Sequence, residues 1–346
     1  MNAPITLTRR LVYIAIALLP VLAVIIAVEL QLRNETRQWY EKKLSKNHAL
    51  KTSLKIHRKS DDPLLVYELT PGAEVDKQGI HYKINQAGFR DDEFPDPSVN
   101  LKKPDEYRIV VLGDSVAWGW GVELAQAWPQ QLEKALQESL KNKQVTIYNL
   151  AVNGYATPQE VHILAKYGLT YQPDLVILNY VLNDPEVEDG GLSWYFEAVN
   201  RIEILYKGKL LVSFIGTVLK STLGLIPEPP NNKAMDHFYL IHHSDLFKNV
   251  ERAFDDLAVI ASKNNINVLV IVTPEFEFNK GKAYPWAEIH HQIETLAISH
   301  YFEFLDTQPA LSVFNGKEVS LDPIHPNAEG HKIIAAAVKE KLTAKP

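Results

Sequence analysis

From Tyr107 onwards, short apolar runs alternate with longer segments in which apolar side chains recur every three or four positions. Few folds satisfy that alternation. The runs Tyr107 to Leu112, Val145 to Asn149, Leu175 to Asn179, Asn267 to Thr273 and Phe302 to Leu305 read as buried strands. Between and after them, helices are expected at Trp128 to Leu140, Thr157 to Tyr167, about Asp245 to Asn264, Trp286 to His300 and Asn327 to Leu342. Strands that are apolar on both faces and separated by helices pack as a parallel sheet covered on each side, so the expected class is α/β with three layers. The second helix carries a start signal, with Thr157 as cap, Pro158 at the first helical position and Glu160 closing a capping box. The stretch at about 185–244 breaks the alternation for longer than a structureless loop usually runs, and is expected to be an insertion with structure of its own.

Upstream the pattern changes. Leu11 to Val28 is an 18-residue run without a charge. As a helix at ~1.5 Å per residue it would just cross a bilayer, and it exceeds the apolar core of roughly 7 to 15 residues found in cleaved signal peptides. Residues 1–30 are therefore expected to be an uncleaved transmembrane helix. Counting Lys and Arg alone, Arg33, Arg37, Lys42, Lys43 and Lys46 outweigh Arg9 and Arg10 and favour retaining the body inside. The very short tail and the diluting Glu29, Glu35 and Glu41 favour the opposite, a single-pass protein of the inner (plasma) membrane with an extracytoplasmic body. Residues 31–103 read as a juxtamembrane stem and a small β subdomain, with strands at Leu64 to Leu69 and Ile80 to Ile84 and turns at Pro71-Gly72 and Ala87-Gly88. The main domain spans 104–346.

Composition removes several chemistries. With 36 Lys+Arg against 42 Asp+Glu, the formal charge of −6 provides no positive field for nucleic acid. The absence of Cys excludes a thiol nucleophile, thiolate zinc sites and iron–sulfur clusters. His242-His243 and His290-His291 are adjacent in sequence and so diverge on a helix, which reads as packing or surface histidine and not as a metal site. No metal or cofactor is expected. His331 reads as a solvated helix residue.

In an open parallel sheet, ligands bind beyond the carboxyl ends of the strands. Those positions hold Gly113-Asp114-Ser115, Asn149 through Gly154, Asn183-Asp184, and Asp322-Pro323-Ile324-His325-Pro326-Asn327. A serine nucleophile needs a base, the base needs an acid to fix its tautomer, and the developing oxyanion needs donors. Asp322 and His325 lie three residues apart, so the carboxylate can fold back onto Nδ1 while Nε2 faces Ser115. The Ser115 and Gly154 backbone N–H groups and the Asn183 amide are the candidate oxyanion donors, with Asp114 positioning its loop. Singly each has a plainer reading: Ser115 as a helix cap, Gly154 and Asn183 as turn residues, Asp322 and His325 as a surface helix start.

Together the blocks resemble the SGNH hydrolases, also called GDSL-type esterases. Ser115 in Gly-Asp-Ser, Gly154 in Asn-Gly-Tyr, Asn183 in Asn-Asp, and His325 with Asp322 in Asp-x-x-His-Pro-Asn match the four blocks over about Tyr107 to Leu342. The family's third block usually reads Gly-x-Asn-Asp, and Val181 stands in place of that Gly. The resemblance implies a flavodoxin-like sandwich, a catalytic triad of Ser115, His325 and Asp322, an oxyanion hole of Ser115, Gly154 and Asn183, and Asp114 and Asp184 as loop-positioning residues. It also implies ester hydrolysis without a metal. With the membrane segment, the expectation is an esterase acting on acyl, foremost O-acetyl, esters of envelope carbohydrate. The alternatives are an O-acetyltransferase passing acetyl from Ser115 to polysaccharide or peptidoglycan, served by a multi-span acyl carrier, and a non-catalytic polysaccharide-export component.

Overall fold

The computed structural model describes residues 53–96, 102–186 and 237–344, with isolated positions between 13 and 34. The chain divides into two units, 1–51 with 194–232, and 52–193 with 233–346. The expected insertion at about 185–244 lies largely outside the described residues, as do eight of the 18 residues of the Leu11 to Val28 run. Every described position from Tyr13 to Asn34 is helical. Among the described residues no helix is long and apolar enough to cross a membrane.

The second unit opens with two antiparallel pairs, β1 (His57–Lys59) with β2 (Tyr67–Leu69), and β3 (Glu74–Lys77) with β4 (Ile80–Lys83). The central sheet follows: β5 (Glu106–Gly113), α1 (Ser115–Trp118), α2 (Trp128–Ser139), β6 (Gln144–Asn149), α3 (Thr157–Lys166) and β7 (Leu175–Tyr180). After these come α4 (His237–His242), α5 (Phe247–Asn264), β8 (Asn267–Val272), α6 (Ala287–Ser299), β9 (Glu303–Asp306), α7 (Gln308–Leu311), α8 (Gly316–Val319) and α9 (Ala328–Thr343). The five strands are parallel in the order β6-β5-β7-β8-β9, the doubly wound flavodoxin-like order. Helices α2 and α9 pack together, as do α3 and α5.

Burial explains the strands. Every residue of β7 is buried, and Val110, Ile177, Val270 and Ile271 are fully enclosed, as expected of strands covered on both faces. The edge strand β6 is closed by side chains. Its Val145, Ile147 and Asn149 N–H groups donate to Gln137 Oε1 (2.9 Å), Glu133 Oε2 (2.5 Å) and Asp91 Oδ2 (2.9 Å), leaving no free donor row for another strand to pair with there.

Local expectations fail where tertiary contacts compete. The strand expected from Leu64 begins at Tyr67, because residues 61–66 form a turn in which Val66 has a φ of 63° and donates to Asp62 O (3.2 Å). Strand β3 escapes sequence reading because Val75 is its only buried residue among charged and exposed ones. Helix α3 is capped one residue earlier than expected. The Ala156 N–H donates to Gln159 Oε1 (3.1 Å), Thr157 donates to Asp184 Oδ2 (2.9 Å), and Glu160 is buried. The helix start lies inside the molecule, so its polar side chains serve the neighbouring loop. His331 is not solvated but fully buried, its Nδ1 accepting from Trp128 N (3.2 Å).

Candidate active site

Strands β6, β5 and β7 are neighbours, so the segments that follow them meet at one edge of the sheet. After β5, Asp114 caps α1 by accepting from Val116 N (3.0 Å), and Ser115 becomes the first residue of a single helical turn. That turn is closed tightly, with the Ser115 carbonyl accepting from the N–H groups of Gly119 (3.1 Å) and Trp120 (2.9 Å). Gly119 and Gly121 both lie in the left-handed region, at φ of 84° and 76°. This conformation favours glycine, and the pair turns the chain on either side of Trp120.

Arg90, from the segment before the sheet, is buried beneath this turn. Its guanidinium donates to the carbonyls of Trp118 (3.0 Å), Gly119 (2.5 Å) and Val122 (2.7 Å), and lies over the rings of Tyr82 and Trp118. Burial lowers its pKa to about 10. Tyr82 of β4 accepts from Gly121 N (2.9 Å). The hairpins also hold the loop after β6, where Tyr67 OH donates to Asn153 O (3.0 Å) and Tyr155 OH returns to Tyr67 O (2.5 Å). Gly154 sits in this loop with a φ of 83°, and Val152 N donates to Gly113 O (3.1 Å), tying it to the strand that leads into Ser115.

The last block arrives on the loop between α8 and α9. Leu321 N donates to His325 O (2.8 Å) and Asn327 N to Val319 O (3.0 Å), folding the segment back on itself. Asp322 Oδ1 accepts from the backbone N–H groups of Ile324 (2.9 Å) and His325 (2.8 Å). The carboxylate also faces the imidazole, with His325 Nδ1 2.8 Å from Oδ2 and 3.0 Å from Oδ1. On the other side of the ring, Nε2 is 3.0 Å from Ser115 Oγ. Hydroxyl, imidazole and carboxylate thus stand in series. Burial works against ionised Asp322, but the hydrogen bonds and charge of His325 and the two N–H groups prevail and bring its pKa from 3.8 to about 2.

Asn183 follows β7, 4% exposed, with Oδ1 engaged by no hydrogen bond among the described residues. Val181, in the place of the glycine, is buried, and its carbonyl accepts from Asp184 N (3.1 Å). It is not among the positive-φ residues, so the turn forms without one there.

Glu160, expected to close a capping box, and Asp184, expected to position its loop, are both buried, and among the described residues neither Glu160 carboxyl oxygen has a partner. Burial holds both well above the usual carboxylate range, and the proximity of Asp114 pushes them further. Burial likewise raises Asp114, against the Val116 N–H and the charge of His325. Sequence reading missed Arg90, Tyr82 and Trp120; the glycines flanking Trp120 were the available signal for a shaped turn.

A parallel sheet bearing this hydrogen-bonded series at its carboxyl edge is the architecture of a hydrolytic enzyme. Residues 111–333 match the model of the GDSL-like lipase/acylhydrolase family. The chain belongs to that family and is a hydrolase acting on ester bonds. Similar solved structures include LAE5, an α/β hydrolase enzyme from the metagenome of Lake Arreo (17% identity, TM-score 0.44, covering 69% of this chain and 97% of that one). A variant of Axe2, an acetyl-xylooligosaccharide esterase from Geobacillus, is 14% identical with a TM-score of 0.45, covering 69% and 95%. TesA is 15% identical with a TM-score of 0.42, covering 68% and 98%. No curated protein matches the chain.

Proposed function

We propose that the chain is a serine esterase in which Ser115 attacks the ester carbonyl, His325 takes the Ser115 proton and returns it to the leaving alcohol, and Asp322 fixes the imidazole tautomer. The observation that carries this reading is the unbroken series from Ser115 Oγ through His325 to Asp322, at 3.0 and 2.8 Å. The oxyanion is stabilised by the backbone N–H groups of Ser115 and Gly154 and by the Asn183 side chain, with Asp114 and Asp184 holding the loops. Water then attacks the acyl group on Ser115, and His325 serves as base for that step.

The substrates in this reading are acyl esters, foremost O-acetyl groups on envelope carbohydrate, met by a catalytic body held at the outer face of the inner membrane through residues 1–30. The uncharged run from Leu11 to Val28 supports the anchor. So do Tyr13, Ile16, Leu19 and Val24, which are helical and expose apolar side chains.

The full chain in detergent, assayed on acetyl and longer acyl esters, tests the reaction. Hydrolysis and labelling by a serine-directed phosphonate should both disappear in Ser115→Ala; labelling that persists moves the nucleophile elsewhere. Acetylated sugar formed when a sugar acceptor is supplied would turn the reading towards transfer. A reporter fused after Pro346 tests the location, and a purely cytoplasmic signal would sink the envelope substrate while leaving the esterase chemistry intact.

A further inference from the structure

His325 delivers its proton to the leaving alcohol in the reaction proposed above, so the alcohol half of the ester must lie on the imidazole side of Ser115. In the same reading the carbonyl oxygen is taken up by the proposed oxyanion donors Gly154 and Asn183. The wall on the imidazole side is Trp120. Its ring lies 5.7 Å from that of His325, centroid to centroid, and the residue is partly exposed. The side chain is held firmly. Gly119 and Gly121 set the turn, Tyr82 stacks on the Trp120 ring with Trp118 tilted against it, and any Cβ on Gly121 would meet Leu321 of the His325 loop at 2.3 Å.

Over the Trp120 ring sits a cation. Lys77, at the end of β3, places Nζ 3.8 Å from the ring centroid. It is half-buried, burial lowers its pKa, and among the described residues it makes no ion pair. The acids of its own hairpin are engaged elsewhere, Asp76 with His81 at 2.8 Å and Glu74 with Lys83 and His81 at 3.8 Å. The remaining titratable neighbours in the same hollow, His57 and Tyr82, bring no negative charge. Burial, aided by the charge of Lys77 and opposed by the Ser53 carbonyl, lowers the His57 pKa to about 4, and burial raises the Tyr82 phenol. A half-buried ammonium that makes no ion pair among the described residues, one aromatic ring away from the imidazole, is an arrangement that gains from an incoming anion.

We propose that Lys77 and Trp120 form an anion-accepting subsite for the alcohol half of the ester, so that the preferred substrates carry a carboxylate or phosphate close to the acylated hydroxyl. The proposal deepens the esterase reading and rests on it. Trp120 presents an apolar face to the sugar ring, and Lys77 meets the charged substituent. Neither touches the acyl group, so discrimination falls on the acylation step and the acyl-enzyme on Ser115 is common to all alcohols.

The test uses three esters with one acyl group, O-acetyl derivatives of methyl glucoside, methyl glucuronide and methyl glucoside phosphate, with the full chain in detergent. The expected result is a kcat/KM about tenfold higher for at least one charged ester than for the neutral one, declining with added NaCl. The carboxylate and phosphate arms identify which anion is taken. Lys77→Gln should bring the charged-to-neutral ratio close to one, and Lys77→Arg should keep most of it. Equal kcat/KM for the three esters, or a preference that survives in Lys77→Gln, overturns the subsite. Failure to hydrolyse these and 4-nitrophenyl acetate alike would instead reject the esterase reading, and the subsite with it.

Discussion

The two oxygens of Asp322 have different work, and that makes Asp322→Asn a sharper perturbation than Asp322→Ala. Oδ1 is committed to the backbone N–H groups of Ile324 and His325, and Oδ2 makes the shorter contact with the imidazole Nδ1, at 2.8 Å. In Asp322→Asn the amide oxygen is held at Oδ1 by those two donors, so the NH2 group replaces Oδ2 and faces Nδ1 as a donor. The ring must then carry its proton on Nε2, where it points at Ser115 Oγ and cannot accept the hydroxyl proton. Enforcing the wrong tautomer in an analogous triad costs about 10⁴ in kcat, or roughly 5.5 kcal/mol of transition-state stabilisation. Asp322→Ala loses the carboxylate but leaves either tautomer accessible, so it should be the more active of the two by several-fold. The Asp322 side chain is 41% exposed, so both variants should fold. Measuring kcat/KM on 4-nitrophenyl acetate, with thermal melts as the folding control, decides the matter. An Asp322→Asn enzyme as active as Asp322→Ala would refute the assignment of the two oxygens.

Asn183→Ala should lower kcat by about 10² to 10³ with little change in KM, as for removal of an oxyanion donor; a raised KM with kcat intact would remove Asn183 from that role. Gly154→Ala places a Cβ on a residue with φ of 83° and should cost about 1–2 kcal/mol of stability, read by urea denaturation, with kcat falling as the loop shifts. Arg90→Met deprives three buried carbonyls around the Ser115 turn of their donor, and at about 1–3 kcal/mol for a buried unsatisfied group should produce a clear loss in denaturant midpoint; a midpoint equal to wild type would refute the brace. Glu160 has a folded pKa above its unfolded one, so the folded state holds the extra proton and stability declines as pH rises beyond the unfolded carboxylate range. Glu160→Gln, which cannot ionise, should therefore raise Tm relative to wild type at pH 8, by about 2–4 °C per kcal/mol, and the gap should close towards pH 4.

The sheet was legible because its strands are continuous apolar runs whose period does not depend on distant residues. The five expected strands agree with the observed ones to within one or two residues at most ends. The site was legible for a related reason. A doubly wound sheet brings the segments after adjacent strands together, so Ser115, Gly154 and Asn183 share an edge by topology alone, and the Asp322–His325 contact is local enough to be read from a three-residue spacing. What remained hidden depends on tertiary partners. Val66 in a left-handed turn, Thr157 turned towards Asp184 instead of capping, and His331 buried against Trp128 all look ordinary in sequence, because burial by a distant element leaves no local period.

The segment ahead of the sheet shows where such reading stops and what the fold does there. Residues 31–103 read as a stem and a small β subdomain; the two hairpins and the segment after them lie in the same compact unit as the sheet and supply the candidate site with Tyr67, Tyr82 and Arg90. Each acts on backbone: Tyr67 on the carbonyl before Gly154, Tyr82 on the N–H of Gly121, Arg90 on the carbonyls of Trp118, Gly119 and Val122. A backbone group buried without a partner is costly. The hairpins meet that need, and in doing so they bring Lys77 over Trp120. In the proposed esterase, one packing arrangement therefore both holds the Ser115 turn and the Gly154 loop in place and sets Lys77 beside the leaving alcohol, so replacing the hairpins would alter positioning and substrate choice together.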